Sequence, residues 1–252
     1  MKNKQDKPTN ATEPPKKVYF YTYAPKETNY PFILRNIKQK PLKCSHEIVD
    51  IGIYDLIKSE NHQHDKTKLK EWGLLKTDGW KVVPDCLDLQ GEFKIATGFD
   101  NVEYTKELHY ELYNPLDPHH LPVIQSNYGD LNSLQDYIRW FKKEFGTPLY
   151  LAVGSVCKMD KKERTVRLLR EVKREFPNTW IHAFGLRLNH LNDSKYYINS
   201  FDSTSWTFPR GVGEPSCKNK EMCLEYFYNY LERFEELVGF NPNQKSLGCI
   251  YE

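Results

Sequence analysis

The sequence predicts an α/β fold, a single (β/α)8 TIM barrel, and three observations predict it. Short apolar runs alternate with amphipathic helical patterns along almost the whole chain. Most of those runs are continuously apolar rather than alternating, as in parallel strands buried on both faces. The 252 residues carry no internal repeat and no interdomain linker, so one domain accommodates them. A doubly wound open sheet is the alternative, but no GxGxxG or Walker loop supports it.

The opening stretch, "MKNKQDKPTNATEPPKK", is polar and Pro-containing. Residues 1–16 are therefore expected to form a disordered tail, with the barrel spanning 17–252. Strands are expected in "VYFYTYA" (18–24), "HEIVDIGIY" (46–54), "KVVPDCLD" (81–88) and "LPVIQS" (121–126). Three more are expected in "LYLAVGSV" (149–156), "TWIHAFGL" (179–186) and "YINSFDS" (197–203). Residues 89–99, where a fourth strand would fall, carry no pattern. "DLNSLQDYIRWFKKEFG" (130–146) places Leu131, Leu134, Ile138, Trp140 and Phe141 at helical spacing, with Gly146 as its stop. "DKKERTVRLLREVKREFP" (160–177) opens on an Asp cap and ends at a Pro, and "KEMCLEYFYNYLERFEELVG" (220–239) ends on a Gly. The apolar stripes of these helices read as core packing.

Composition excludes several classes. A net charge of +2 does not announce a polyanion partner, so any basic patch has to be local. "RTVRLLREVKR" (164–174) is the candidate, as a nucleic-acid backbone footprint or as a solvated helix face. No run of eighteen apolar residues is present, so no membrane partner is expected. The six cysteines form no CxxC pair, and no secretory signal precedes them. Reduced thiols in a cytoplasmic protein are the expectation, with no structural zinc and no cofactor. Cys217 and Cys223 are the only close pair. Their spacing leaves open whether they bind a metal together with His182 or His190.

Chemistry in such a barrel sits where strands end. The runs end in Asp50-Ile51-Gly52, Pro84-Asp85-Cys86 (with Asp88 beyond), Ile124-Gln125-Ser126, Val153-Gly154-Ser155, Phe184-Gly185-Leu186 and Phe201-Asp202-Ser203. Any one Asp after a strand can be a helix cap, and a Gly there can simply make a turn. Three acids converging from different strands are costly without a task. Two chemistries need such a set. Glycosyl transfer uses one carboxylate to attack an anomeric carbon and a second acid or base for the leaving group. A purine edge needs acids and amides for its N–H donors, and backbone N–H groups for its carbonyl.

The order of these motifs resembles the tRNA-guanine transglycosylase superfamily. "IVDIGIYDL" is similar to that family's Asp-Ser-Gly-Gly-Phe segment, "VVPDCLD" to its Phe-Asp-Glu-Cys segment and "PVIQSNYGDL" to its Val-Gln-Gly…Asp-Leu segment. "LAVGSV" is similar to the Gly-Gly-Leu turn and "NSFDSTSW" to the nucleophile segment. The resemblance spans about residues 18–210 and implies a base-exchanging pentosyltransferase. It implies Asp202 as nucleophile and Asp50 as the assisting acid or base. Asp85, Gln125 and the backbone N–H groups of Gly154 and Ser155 would read the base. The partners it implies are DNA or tRNA together with a free guanine or 7-deazaguanine base such as preQ0.

The chain departs from that pattern at Ile51-Gly52 and Gly154-Ser155, and it lacks the CxCxxC…H of the zinc subdomain. The sequence is also shorter than typical bacterial members, which leaves room for a protein partner. The wording Phe-Asp-Ser-Thr-Ser-Trp is closer to the phage and bacterial branch that inserts 7-deazaguanines into DNA, so DNA is favoured over tRNA.

Arg210 is a candidate phosphate contact or an ordinary surface residue. Trp206 is a base-stacking platform or a wall of the barrel rim. Ser203, Thr204 and Ser205 are either orienting hydroxyls or turn residues. Two other classes stay open: a glycoside hydrolase using Asp50 and Asp202 as its carboxylate pair, and a catalytically silent nucleic-acid-binding barrel within a modification complex.

Overall fold

The computed structural model describes residues 17–52, 64–86, 100–127, 129–157, 159–208, 217 and 219–239. The expected tail, the unpatterned 89–99, Asp88 and Arg210 lie outside these residues.

Mixed α/β architecture with parallel strands is what the chain forms. Nine strands are present among the described residues: β1 (Tyr19–Tyr21), β2 (Phe32–Asn36), β3 (His46–Asp50), β4 (Trp80–Val82), β5 (His120–Leu121), β6 (Val123–Ile124), β7 (Tyr150–Val153), β8 (Trp180–Ala183) and β9 (Ser200–Asp202). Six helices accompany them: α1 (Lys66–Leu74), α2 (Asn101–Leu112), α3 (Leu131–Phe145), α4 (Lys162–Glu175), α5 (Leu188–Ser194) and α6 (Lys220–Val238). Each expected strand run overlaps its element, with β4 and β5 starting one residue early, and the three expected helices contain theirs. The sequence reading did not identify β2, α1, α2 or α5. The additional strand among the described residues is β2, near the start. Arg35 interrupts its apolar run, yet that guanidinium is buried and bonded to Glu47 at 2.7 Å across the β2–β3 ladder.

Among the described residues the ladders form two sheets and not the one closed ring expected of a barrel. One runs β1-β9-β8-β7-β6 and the other β2-β3-β4-β5, and every pairing is parallel. One seam has a covalent cause. Pro122, between β5 and β6, has no N–H to give to a ladder. The next donor, Val123 N–H, goes to His109 Nε2 of α2 at 3.1 Å. At the other seam the ladder shrinks to one parallel bridge, Thr22 with Ile33.

Three apolar clusters follow. The largest packs the outward faces of the strands, including Phe20, Leu151, Ile181 and Phe201, against α3–α6. The second is interior and draws on both sheets, with Tyr21, Ile48, Val82, Leu121, Val123 and Ala152. The third holds α1 through Trp72, against Ile51 and Val83.

Helix ends follow local chemistry. Asp130 caps α3 by accepting from Ser133 N–H at 2.7 Å, and Asn219 caps α6 by accepting from Met222 N–H at 2.8 Å. Asp160 does not cap α4 as expected. It pairs with Arg187 at 2.7 Å, and Lys161 takes the cap position without a side-chain bond.

His109 shows how the seam is maintained. The ring is fully buried, Nδ1–H donates to Thr105 O at 2.8 Å, and Nε2 must accept from Val123. Burial pulls its pKa down to about 4. The unfolded chain therefore binds a proton that the folded chain refuses between about pH 6.5 and 4, and stability falls as pH drops through that window. About 3 kcal/mol is at stake. A His109→Gln variant is expected to lose that acid limb, read as a shallower dependence of the urea midpoint on pH between 6.5 and 4.

Candidate functional site

Because all strands run parallel, their C-terminal ends share one side, and two clusters form there. The first is Asp202. It closes β9, and its Oδ1 accepts from Gly185 N–H at 2.9 Å and is 3.3 Å from His182 Nε2. Gly185 has a φ of +60°, and a Cβ there would meet Cys157 Sγ at 2.5 Å. Only glycine fits this turn, and the turn aims the N–H at the carboxylate. Among the described residues Oδ2 carries no hydrogen bond, and the Asp202 side chain is 13% exposed. Behind it, His182 Nδ1 lies 2.9 Å from Ser200 Oγ, which also accepts from Trp180 Nε1 at 3.0 Å.

The second cluster joins the two sheets. Asp85, following β4, is buried, and its Oδ2 accepts from Gln125 Nε2 after β6. Gln125 Oε1 accepts from Ser155 Oγ at 3.1 Å, and Ser155 Oγ accepts from Ser126 N–H at 2.6 Å. This relay fixes which end of the amide faces Asp85. Burial, with the Asp50 charge as second cause, pushes the Asp85 carboxyl up to about 8, against the opposing pull of the Gln125 bond. Asp85 is therefore held mostly neutral at pH 7 and can donate a proton in a hydrogen bond. Asp50 ends β3, in register with Asn36.

No protein-family model matches this chain, and no curated protein matches it either. What the site can do is thus argued from its own atoms.

The structure brings Asp85, Gln125 and Ser155 into one bonded relay, with Asp50 close enough to act on Asp85 electrostatically. Gly154 has a different part from the expected one. Its N–H is bonded to Ile124 O at 3.1 Å and is not available to a base. Its missing side chain is what matters, since a Cβ would lie 2.7 Å from Gln125 Cδ. Gly154→Ala is expected to overpack this point at a cost of about 1–3 kcal/mol, read as a lower denaturant midpoint. Introduced into a Gln125→Ala background, the same substitution should cost much less than it does in the wild type, because the clash partner is gone.

Trp206 is buried, with its ring against Phe227 and its N–H donated to Thr22 Oγ1 at 2.9 Å. It is a wall, with no face open to a base. Ser203 and Ser205 bond to each other at 2.6 Å, as turn residues do. In the basic run, Arg174 pairs with Glu171 and Glu175, and Arg170 lies over Tyr197. Arg164 and Arg167, with Lys161, line a cavity of about 640 Å³ that Asp130 and Glu163 also border. Among the described residues no cluster of three metal-binding side chains occurs. His182 and His190 give ring nitrogens to Ser200 and Thr165 respectively. No helix among those residues is long and apolar enough to cross a membrane.

Two site residues escaped the sequence reading as parts of this site. His64 Nε2 lies 2.9 Å from Asp85 O, and no pattern marks it. His182 had a signal. In "TWIHAFGL", Ile181 and Ala183 pack toward the helices while Phe184 joins the interior cluster. Strand alternation therefore turns His182 inward beside Asp202.

Proposed function

We propose that the two sheets are halves of one eight-stranded barrel, and that its strand-end mouth exchanges a guanine in nucleic acid for a 7-deazaguanine base. Counting β5-Pro122-β6 as one strand gives eight. Ring contacts between the sheets support a shared interior: Trp80 on Tyr150 at 4.7 Å, Tyr19 on Phe32 at 5.0 Å and Trp80 near Trp180 at 6.0 Å.

One observation carries the functional reading. A carboxylate with one oxygen anchored and the other unbonded sits at the same strand ends as a buried, neutral carboxyl paired to an amide. The first is a nucleophile for a sugar carbon. The second is a donor and acceptor set for a purine edge.

The target nucleotide leaves its stack, because its glycosidic bond is otherwise out of reach. Asp202 Oδ2 forms a bond to C1′ as the C1′–N9 bond breaks, and guanine departs with the electron pair and takes up a proton. Asp50 supplies that proton to the departing guanine and is reprotonated by the N9 proton of the incoming base. Asp85 and Gln125 hold the base edge. The incoming base then loses its N9 proton and attacks C1′, and the ester bond to Asp202 breaks. DNA is favoured over tRNA on the likeness of "FDSTSW" to the DNA-modifying branch. No metal or organic cofactor enters these steps.

Incubation with radiolabelled guanine and, in separate reactions, duplex DNA, single-stranded DNA and tRNA tests the reading. Label entering one polymer is the expected result and identifies the substrate. A folded protein that labels none of them would return the reading to a silent nucleic-acid-binding barrel.

A further inference from the structure

The hydrogen bond between His182 and Asp202 has only one direction, because a carboxylate oxygen can only accept. Trp180 Nε1 can only donate, so Ser200 Oγ accepts from it at 3.0 Å. Ser200 Oγ keeps one proton and one lone pair, and toward the neutral His182 ring it donates to Nδ1, 2.9 Å away. With Nδ1 accepting, the imidazole proton sits on Nε2 and points at Asp202 Oδ1, at 3.3 Å. The other tautomer would set an Nε2 lone pair against a carboxylate. His182 is fully buried, with Tyr21 and Phe184 edge-on to its ring at 5.7 and 4.8 Å. The ring can neither turn away nor exchange its partner for water.

We infer that His182 is a positioning residue that makes Asp202 both an aimed nucleophile and a competent leaving group, and this rests on the transglycosylase reading above. Two donors, Gly185 N–H and His182 Nε2–H, converge on the same oxygen. Their bonds leave Oδ2 to attack. When the ester forms at Oδ2, Oδ1 becomes its carbonyl oxygen and carries less charge. When the second base attacks C1′, the Oδ2–C1′ electron pair returns to the carboxylate, and the two donors meet the charge developing on Oδ1. They act hardest in the second half-reaction. Removing one donor therefore slows release of the sugar from Asp202 more than its capture.

Two variants separate this from a merely structural role. The Asn amide of His182→Asn can replace Nδ1 toward Ser200 but falls short of Asp202. The longer His182→Gln side chain can place an N–H near the Nε2 position. For His182→Asn, base exchange is expected to fall about a hundredfold, while the covalent protein–oligonucleotide adduct, trapped by acid quench and resolved on a denaturing gel, accumulates. His182→Gln should restore exchange to within about tenfold of wild type. Adduct and exchange falling together in His182→Asn, with no rescue by Gln, would overturn the inference.

Nitrogen-15 NMR of the wild-type protein reads the tautomer without any substrate. An Nε2–H ring that responds to Asp202→Asn supports the chain of bonds, and an Nδ1–H ring refutes it. Wild-type protein that forms no adduct with any polymer would sink the transglycosylase reading, and with it the role assigned to His182. The tautomer would still decide the hydrogen-bond chain.

Discussion

Asp202→Asn is expected to abolish base exchange, with a loss of at least about ten-thousandfold in rate, and to leave no covalent adduct on a quenched gel. The substitution keeps an oxygen for the Gly185 N–H and the His182 N–H, so the turn after β8 and the β8–β9 pairing have no reason to move. What disappears is the charge that attacks C1′. An amide neither forms the ester nor leaves from it. The expected signature is therefore catalytic loss at an unchanged melting temperature. Retained exchange would mean that the displacement is direct or that another carboxylate, Asp50 above all, is the nucleophile.

Asp85→Asn is expected to make the protein more stable at pH 8 and worse at its reaction. The Asp85 carboxyl is raised to about 8 in the folded state by burial and by the Asp50 charge. In the unfolded chain it titrates near 4. Between those values the folded protein holds a proton that the unfolded chain has lost. Stability therefore falls as pH rises through that window, by an amount on the order of 5 kcal/mol. Asparagine has no such penalty and still presents an oxygen to Gln125 Nε2. The difference in unfolding free energy between variant and wild type should thus grow from pH 4 to pH 8 and then level off. Exchange should drop, because the amide offers a different donor pattern to the base. A variant no more stable at pH 8 than at pH 4, relative to wild type, would show that Asp85 titrates normally and that its burial carries no such cost.

A carboxyl kept at that cost is what a functional site looks like from the side of stability. It also separates the candidate site from the buried polar groups that only build the fold. His109 is equally buried, but its two ring nitrogens are spent on Thr105 and Val123, and it holds the edge of β6. Arg35 and Glu47 are likewise spent on each other between β2 and β3.

Local pattern was enough to place Asp50 and Asp202 at strand ends, and Asp85, Gln125 and Gly154 just beyond them. Apolar runs, turn residues and caps act over a few residues and are written consecutively in the chain. The same locality identified α3, α4 and α6 and the parallel character of the strands. The sequence by itself determined the class of the fold and which polar side chains gather where strands finish. Only the tertiary structure decided their working relations. It set Gln125 against Asp85 across a sheet boundary, spent the Gly154 N–H on Ile124, closed Trp206 into a wall and put His182 behind Asp202. It also divided the strands into two ladders where Pro122 offers no donor. Each of these depends on register and side-chain direction between segments far apart in sequence. A hydrogen bond needs its partners within about 3 Å, a condition that periodicity along one strand does not contain.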